Sequence, residues 1–507
     1  MNCANRCRKR MSLIALILVL TILVGAFVGC KAADPQTQLL MAYAGAVSDV
    51  TELFTQQYDK SLELGEKGMD FTGSVNVSVT ELALTQLLGM NPGINSAGLD
   101  YRVITDDAGK MGVELGLSAG ETELLALHVY LDGKTGQLVV AVPEVLSKAV
   151  EVEIPMEEEE LAAAGKILQN MDIQNLPNGE TVENLLPALV KVALTELKEV
   201  ERSKSSFTAS GVTQETTCLT VTVTEVTLRN MANAVLEELK TNKDFKALVE
   251  ALYTTVKDLL SQSMGEPLPE ELQSFQAFWD SLVEELNGLQ EELGYYQGDE
   301  ELCRVHTWVN KDNEILGVQF VAGELQVFAA LARDGEDVGL EISAKENYQT
   351  IFAVKGTGTE KKDKFSGTVT VLVEYDEAVI LECQDVNTKK LEEGYLSGSF
   401  VVKPGQLLKE ELGAMLGGLE LRLTADQGEM KGSAKVEVVL QGTTMGVLET
   451  EGSYKVKGQV TMPKDTVPLE EMGMPNLEVL INRLKAAGLN DQLLDQLGQM
   501  LLFGMLG

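Results

Sequence analysis

Along residues 36–64 the apolar side chains Leu39, Tyr43, Val47, Val50, Phe54 and Tyr58 recur at steps of three and four. That spacing predicts one amphipathic helix, closed by Gly65 and Gly68. The period then falls to two. Phe71, Val75, Val77 and Val79 alternate with small or polar residues, as do Met111 to Leu117 and Leu125 to Leu131. Asp132–Gly136 reads as a turn into a strand at 137–142, and Ala149–Ile154 closes the block at Pro155. Region 68–155 is therefore expected to be an antiparallel meander with one buried face, interrupted over 82–99 by a Leu-rich stretch and a Gly/Asn/Pro loop.

Helical spacing returns at 156–171 and 180–199, the first opening on Glu157–Glu160, where carboxylates complement a helix N-terminus. Residues 206–224 are β-rich. Three helical patterns follow near 226–241, 244–261 and 269–293, the last with Leu272, Phe275, Phe278, Trp279, Leu282, Leu286, Leu289 and Leu293 as its stripe. From 301 to 403 the period is two again, with hairpin signals at Lys311–Asn313, Arg333–Gly335, Glu360–Asp363, Asp376–Glu377 and Lys389–Glu393. A short helix at 405–416, about three strands over 419–461 and an amphipathic helix at 476–503 complete the chain.

Strands do not alternate singly with helices, so the expected class is α+β. Its core would be one or two large curved antiparallel β-sheets from two β-rich blocks, packed with amphipathic helices. The resulting division is 1–29, a leader; 30–67, a tether and helix; 68–155, the first β block; 156–298, a mainly helical region with the β segment 206–224; 299–463, the second β block; and 464–507, the C-terminal helix.

The leader follows from charge and hydropathy. Residues 1–10 carry four cations and no carboxylate, 11–28 form an uncharged apolar run, and Gly29-Cys30 precedes polar sequence. This is the layout of a bacterial export signal. An uncleaved span is the rival reading, since eighteen apolar residues just suffice to cross a bilayer. The segment Phe27-Val28-Gly29-Cys30 resembles a lipoprotein box, although Phe27 stands where that family usually has Leu. The resemblance implies cleavage before Cys30, lipid on its thiol, and a body anchored by that lipid to the outer face of the bacterial cell membrane. About six residues then separate Cys30 from the first helix, a reach of roughly 20 Å.

Removing the leader takes four of the 41 Lys and Arg and none of the 77 Asp and Glu, so 37 cations face 77 carboxylates, a charge of −40. Such a surface repels nucleic acid and anionic lipid heads and serves solubility or a cationic partner. Cys218, Cys303 and Cys383 remain beyond the leader and Cys30; three thiols make no disulfide scaffold and allow at most one bridge.

Catalytic signals are weak. Gly116-Leu117-Ser118-Ala119-Gly120 has the nucleophile-elbow letters, but a strand rather than a helix follows, so a hairpin turn is expected. Only His128 and His306 exist. His128 should point away from Leu127 and Val129. Cys303 and His306, three apart on a strand, should lie on opposite faces and share no metal. Asn310, Asp312 and Glu314 begin a calcium-loop spacing, but Ile315 stands where the glycine belongs, leaving a hairpin tip. With 77 acidic residues, spacing nominates no carboxylate pair, and aromatics at 5% supply few sugar platforms. No catalytic, metal or cofactor-binding residue is assigned, and no enzyme is expected.

The segments Val129–Lys148 and Thr217–Lys240, together with the exported helix-meander-helix layout, resemble the LolA/LppX class of lipid-carrying half-barrels. They also resemble uncharacterised lipoproteins of gram-positive gut bacteria. The resemblance is one of layout over about half the chain and transfers no ligand residue. It implies a membrane-anchored, non-enzymatic lipoprotein holding an apolar or amphipathic ligand, such as a lipid, between sheet and helices. The alternative is a structural or protein-interaction lipoprotein of the envelope with no small-molecule ligand and protein partners unknown.

Overall fold

The computed structural model describes residues 34–152, 179–263, 269, 272–473 and 475–496. The leader, Cys30, the helix expected at 156–171 with Glu157–Glu160, and residues 497–507 lie outside them.

In chain order the elements are α1 (Pro35–Lys67), β1 (Met69–Val79), α2 (Glu81–Leu88), β2 (Ser96–Thr105), β3 (Lys110–Ala119), β4 (Thr122–Asp132), β5 (Gln137–Ala141) and β6 (Ala149–Val152). There follow α3 (Gly179–Thr195), β7 (Val200–Ala209), β8 (Val212–Thr224), α4 (Glu225–Thr241), α5 (Lys243–Ser263) and α6 (Phe275–Leu293). Seven strands succeed them: β9 (Glu301–Val309), β10 (Ile315–Ala322), β11 (Leu325–Asp334), β12 (Asp337–Glu346), β13 (Gln349–Lys361), β14 (Lys364–Val373) and β15 (Asp376–Asn387). The chain ends with α7 (Thr388–Glu392), β16 (Ser397–Pro404), α8 (Gln406–Leu416), β17 (Leu419–Gln427), β18 (Lys431–Leu440), β19 (Thr443–Val456), β20 (Thr466–Pro468) and α9 (Leu477–Ala486). The α+β class with extensive antiparallel sheet holds. The described residues form two compact units, one from residues up to 60 plus 174–380, the other from 61–173 plus 381 onward. Strands of the 299–463 block thus serve both.

In the first unit β7 through β14 pair antiparallel in sequence order, with β8 joined to β9. One face of β8–β10 is covered by helices: Leu39, Tyr43 and Ala46 of α1, Leu194 of α3 and Met231 of α4 pack on Leu219, Val221, Val309 and Val318. The sheet also curls, so that Phe207 and Ala209 of β7 meet Leu316, Ala330 and Ala332. The close approach needs a missing side chain. A Cβ on Gly339 would lie 2.1 Å from the Ala209 carbonyl oxygen, and Ser210 Oγ donates to Leu340 O at 2.6 Å. Polar contacts seat the start of α1. Gln36 Nε2 donates to Thr195 O at 2.9 Å, Gln38 Nε2 donates to buried Asn313 Oδ1 at 2.8 Å, and the buried Tyr43 hydroxyl meets Thr307 Oγ1 at 2.9 Å. Between α5 and α6, Tyr253 stacks on Phe278 at 5.4 Å and Lys246 Nζ lies 5.2 Å from the Trp279 ring.

In the second unit the pairing runs β16-β17-β18-β19-β1-β2-β3-β4-β5-β6-β20. Every pair is antiparallel except β6 with β20. Strands 69–79 and 443–456 are thus neighbours across most of the sequence. A core of Ile104, Tyr130, Val139, Ala149 and Val460 closes one end.

Several expectations need correction. Residues 96–99 are not loop but the start of β2. The 206–224 segment is the end of β7, the turn at 210–211 and all of β8, a hairpin begun at Val200. The turn expected at Asp376–Glu377 falls two residues earlier, at Glu374, whose φ is +57°. Lys389–Glu393 is no hairpin turn but essentially α7, capped by Asn387 Oδ1 on the Lys390 amide at 2.9 Å. The C-terminal helix breaks after Ala486, where Gly488 takes φ +90° and the Asn490 amide donates to Pro92 O at 2.8 Å.

Candidate binding groove

Strand register builds one face of the second unit almost wholly from polar residues. One row crosses Asp426, Ser433, Glu451, Ser74, Asp100 and Gly116, on β17, β18, β19, β1, β2 and β3. The next crosses Lys431, Ser453, Thr72, Arg102, Glu114 and His128. Paired residues share a face, and residues two apart on a strand share it too. Together they line an open groove of about 790 Å³.

Its charges are partly spent internally. Arg102 forks onto Asp70, Nε to Oδ1 and Nη2 to Oδ2, both at 2.8 Å, and Nη1 reaches Glu114 Oε2 at 3.5 Å. The Tyr130 hydroxyl donates to Glu114 Oε1 at 3.0 Å. The Arg102 hydrogen bonds hold the Asp70 carboxyl below the usual carboxylate range. Burial first, then the Glu114 bond, pushes the Tyr130 phenol up to about 12. At the rim Lys390 Nζ sits 2.6 Å from Asp426 Oδ1, which also accepts from Ser397 Oγ at 3.2 Å, and the lysine bond lowers the Asp426 pKa. Asp100 and Glu451, on either side of Ser74, have no ion-pair partner among the described residues. The groove can therefore offer carboxylates and hydroxyls to a polar, positively charged ligand.

The opposite face is apolar, and glycines shape it. Gly432, Gly452 and Gly73 stand in register across β18, β19 and β1, beside Tyr101 of β2. A Cβ on Gly73 would come 2.6 Å from the Tyr101 ring, so the ring lies flat where that side chain would be. Phe71 completes an aromatic pair with Tyr101 at 5.6 Å. On this face Val77, Leu117, Leu421 and Leu448 remain 37–45% exposed.

The residues singled out by sequence are dispersed. His128 lines the groove, pointing away from Leu127 and Val129. His306 lies in the first unit, its Nδ1 2.9 Å from Thr220 Oγ1, and burial first, then Arg304, lowers its pKa. Cys303 faces the helix-covered core, so the two do lie on opposite faces. Ser118 lies within β3, one residue before its end, and Gly120, at φ +58°, turns the chain into β4, making this motif a hairpin. Asn310 Oδ1 accepts the amides of Asp312 and Glu314 within the β9–β10 turn. Cys218, Cys303 and Cys383 are free thiols, all with pKa raised by burial, Cys303 to about 11. Among the described residues no group of three or more His, Cys, Asp or Glu gathers as a metal site would require. Arg102, Asp70, Glu114 and Tyr130 went unnoticed in the sequence; their signal was the polar half of the period-two strands.

The chain matches no protein-family model, and no curated protein matches its sequence.

Proposed function

We propose that the chain is an exported, non-enzymatic lipoprotein, held to the outer face of the cell membrane by lipid on Cys30. Its second unit binds a cationic polar partner, such as a basic peptide segment, on the polar sheet face. The groove carries this reading. Its volume lies within the range of ligand sites, and hydroxyls and carboxylates dominate its walls. Of its three Lys and Arg side chains, Arg102 and Lys390 are already paired, which leaves Lys431 beside the unpaired carboxylates Asp100 and Glu451. Support for a non-catalytic role is that the two histidines, His128 and His306, lie in different units and so share no site. No helix among the described residues is long and apolar enough to cross a membrane.

Calorimetric titration of residues 31–507 with an oligolysine peptide at low salt tests the reading. Binding that weakens with salt, and about 3–10-fold further in the Asp100→Asn/Glu451→Gln variant, is expected for two partly exposed charge contacts. No heat with oligolysine, or an unchanged affinity in the variant, refutes it.

A second reading is a lipid or other apolar ligand. In the first unit the seam between helices and sheet is filled by Leu39, Tyr43 and Leu219, which leaves no support there. In the second unit the half-exposed apolar pair Val77 and Leu448, with Leu117 and Leu421 on the same face, favours it, since exposed apolar surface marks an interaction site. Native mass spectrometry with organic extraction decides: a reproducible extractable lipid mass supports this reading over the first.

A further inference from the structure

We infer that the end of the first unit carrying the β9–β10 turn, residues 310–314, faces the lipid surface to which Cys30 is attached; this rests on the lipid-anchor reading above. The argument begins with chain length. Four residues, Lys31 to Asp34, separate Cys30 from Pro35, and five Cα steps reach at most about 18 Å. The start of α1 is fixed at one end of the unit. Gln36 is bonded to the Thr195 carbonyl and Gln38 to buried Asn313 inside the 310–314 turn, with Arg202 Nη1 also 3.5 Å from Gln38 Oε1. Asn313, at φ +65° and 1% exposed, is a rigid seat.

Antiparallel pairing sorts the remaining turns between two ends. The turns closed by Asp334/Asp337 and Lys361/Lys364 lie at the same end as 310–314, and those closed by Ala322/Leu325, Glu346/Gln349 and Val373/Asp376 at the other. Ten residues of β12 separate the ends, about 30 Å at strand rise. That exceeds the tether, so one end stays within the tether's reach of the membrane while the other need not approach it.

Charge follows the same division. Counting each turn with its closing pair, Lys311, Lys361, Lys362 and Lys364 all belong to the anchored end, among six carboxylates. The other end has Glu324, Glu346, Glu374 and Asp376 with no cation. Lys311, Lys362 and Lys364 are exposed and have no ion-pair partner among the described residues, which leaves them for lipid phosphates. The turns of the other end hold no cation to meet a lipid phosphate, and they carry the exposed rings of Tyr348 and Tyr375, 86% and 67% accessible.

The test uses the lipidated full chain in phosphatidylcholine vesicles containing a lipid with a nitroxide on its headgroup. A thiol-reactive fluorophore is placed at Lys311→Cys, Lys362→Cys, Tyr348→Cys or Tyr375→Cys. The parent chain, whose Cys218 and Cys303 are buried, sets the labelling background. Quenching severalfold stronger at 311 and 362 than at 348 and 375 is expected, and loss of all quenching in a Cys30→Ser background. Equal quenching at both ends, or stronger quenching at 348 and 375, overturns the orientation if the N-terminal peptide carries lipid by mass. A peptide without lipid overturns the anchor reading itself, and the orientation with it.

Discussion

Removing one buried hydroxyl, in Tyr43→Phe, should leave two separable marks on the first unit. Tyr43 is 3% exposed and Thr307 1%, and their oxygens meet at 2.9 Å. The substitution takes that partner from a buried threonine, at a cost of about 1–3 kcal/mol. Thr307→Val does the converse, and the double variant, with both groups apolar, should recover part of the loss. The second mark is in pH. Burial is the main cause that raises the Tyr43 phenol from 10.0 to about 12. The native state therefore holds this proton more tightly than the unfolded chain. The Tyr43 contribution is fully present below the unfolded value near 10 and is lost as pH rises from about 10 to 12, a loss of roughly 2–3 kcal/mol. Both tryptophans, Trp279 and Trp308, lie in the first unit, so urea unfolding followed by tryptophan fluorescence reads that unit alone. Tyr130, also pushed up to about 12, lies in the other unit and adds nothing to this signal. Between pH 10 and 12 the Tyr43→Phe chain should lose less stability than the parent. Equal losses would show that Tyr43 is not held protonated by its burial and that the assigned packing of α1 is wrong.

Other outcomes follow from single positions. Gly288 in α6 has no atom within 4 Å of a Cβ placed there, whereas Gly339 would collide with backbone. Gly288→Ala should stabilise the first unit by about 0.5–1 kcal/mol, and Gly339→Ala should destabilise it by at least about 2 kcal/mol, both read by tryptophan fluorescence in urea. Arg102→Met strips Asp70 and Glu114 of their cation in the second unit. Because Asp70 is held below its ordinary pKa, its contribution is present above the unfolded value near 3.8 and lost as pH falls through the lower folded value. The parent's acid-limb loss in the near-ultraviolet tyrosine signal should therefore be weaker in this variant. Cys218 and Cys303 should react with a thiol reagent only on unfolding, since burial raises both pKa values and limits access; fast reaction of two or more thiols in the native protein would contradict the packing of β8 and β9.

Periodicity located most elements because burial on one face dictates it. Helix α1, the strands beginning near 69, 110 and 122, and the three strands over 419–456 were all legible in this way. Strand β2 has the same alternation in Leu99, Tyr101 and Val103, but the Gly, Asn and Pro residues just before it extended the expected loop too far. Strand β20 is three residues long and pairs in parallel with β6 from more than 300 residues away, so its register is decided by tertiary contact rather than by a pattern. The groove was hidden for a related reason. Alternation says that Thr72 and Ser74 share a face, and likewise Glu451 and Ser453, but it cannot say that β1 and β19 are neighbours. Only the register Ser74 with Glu451 and with Asp100 sets these side chains in one row. The polar half of each strand carries no burial constraint of its own and reads as ordinary solvent-facing surface. On the proposed reading, what separates a binding face from such a surface is the company that distant strands bring, and here that company is a set of carboxylates with fewer cations beside them.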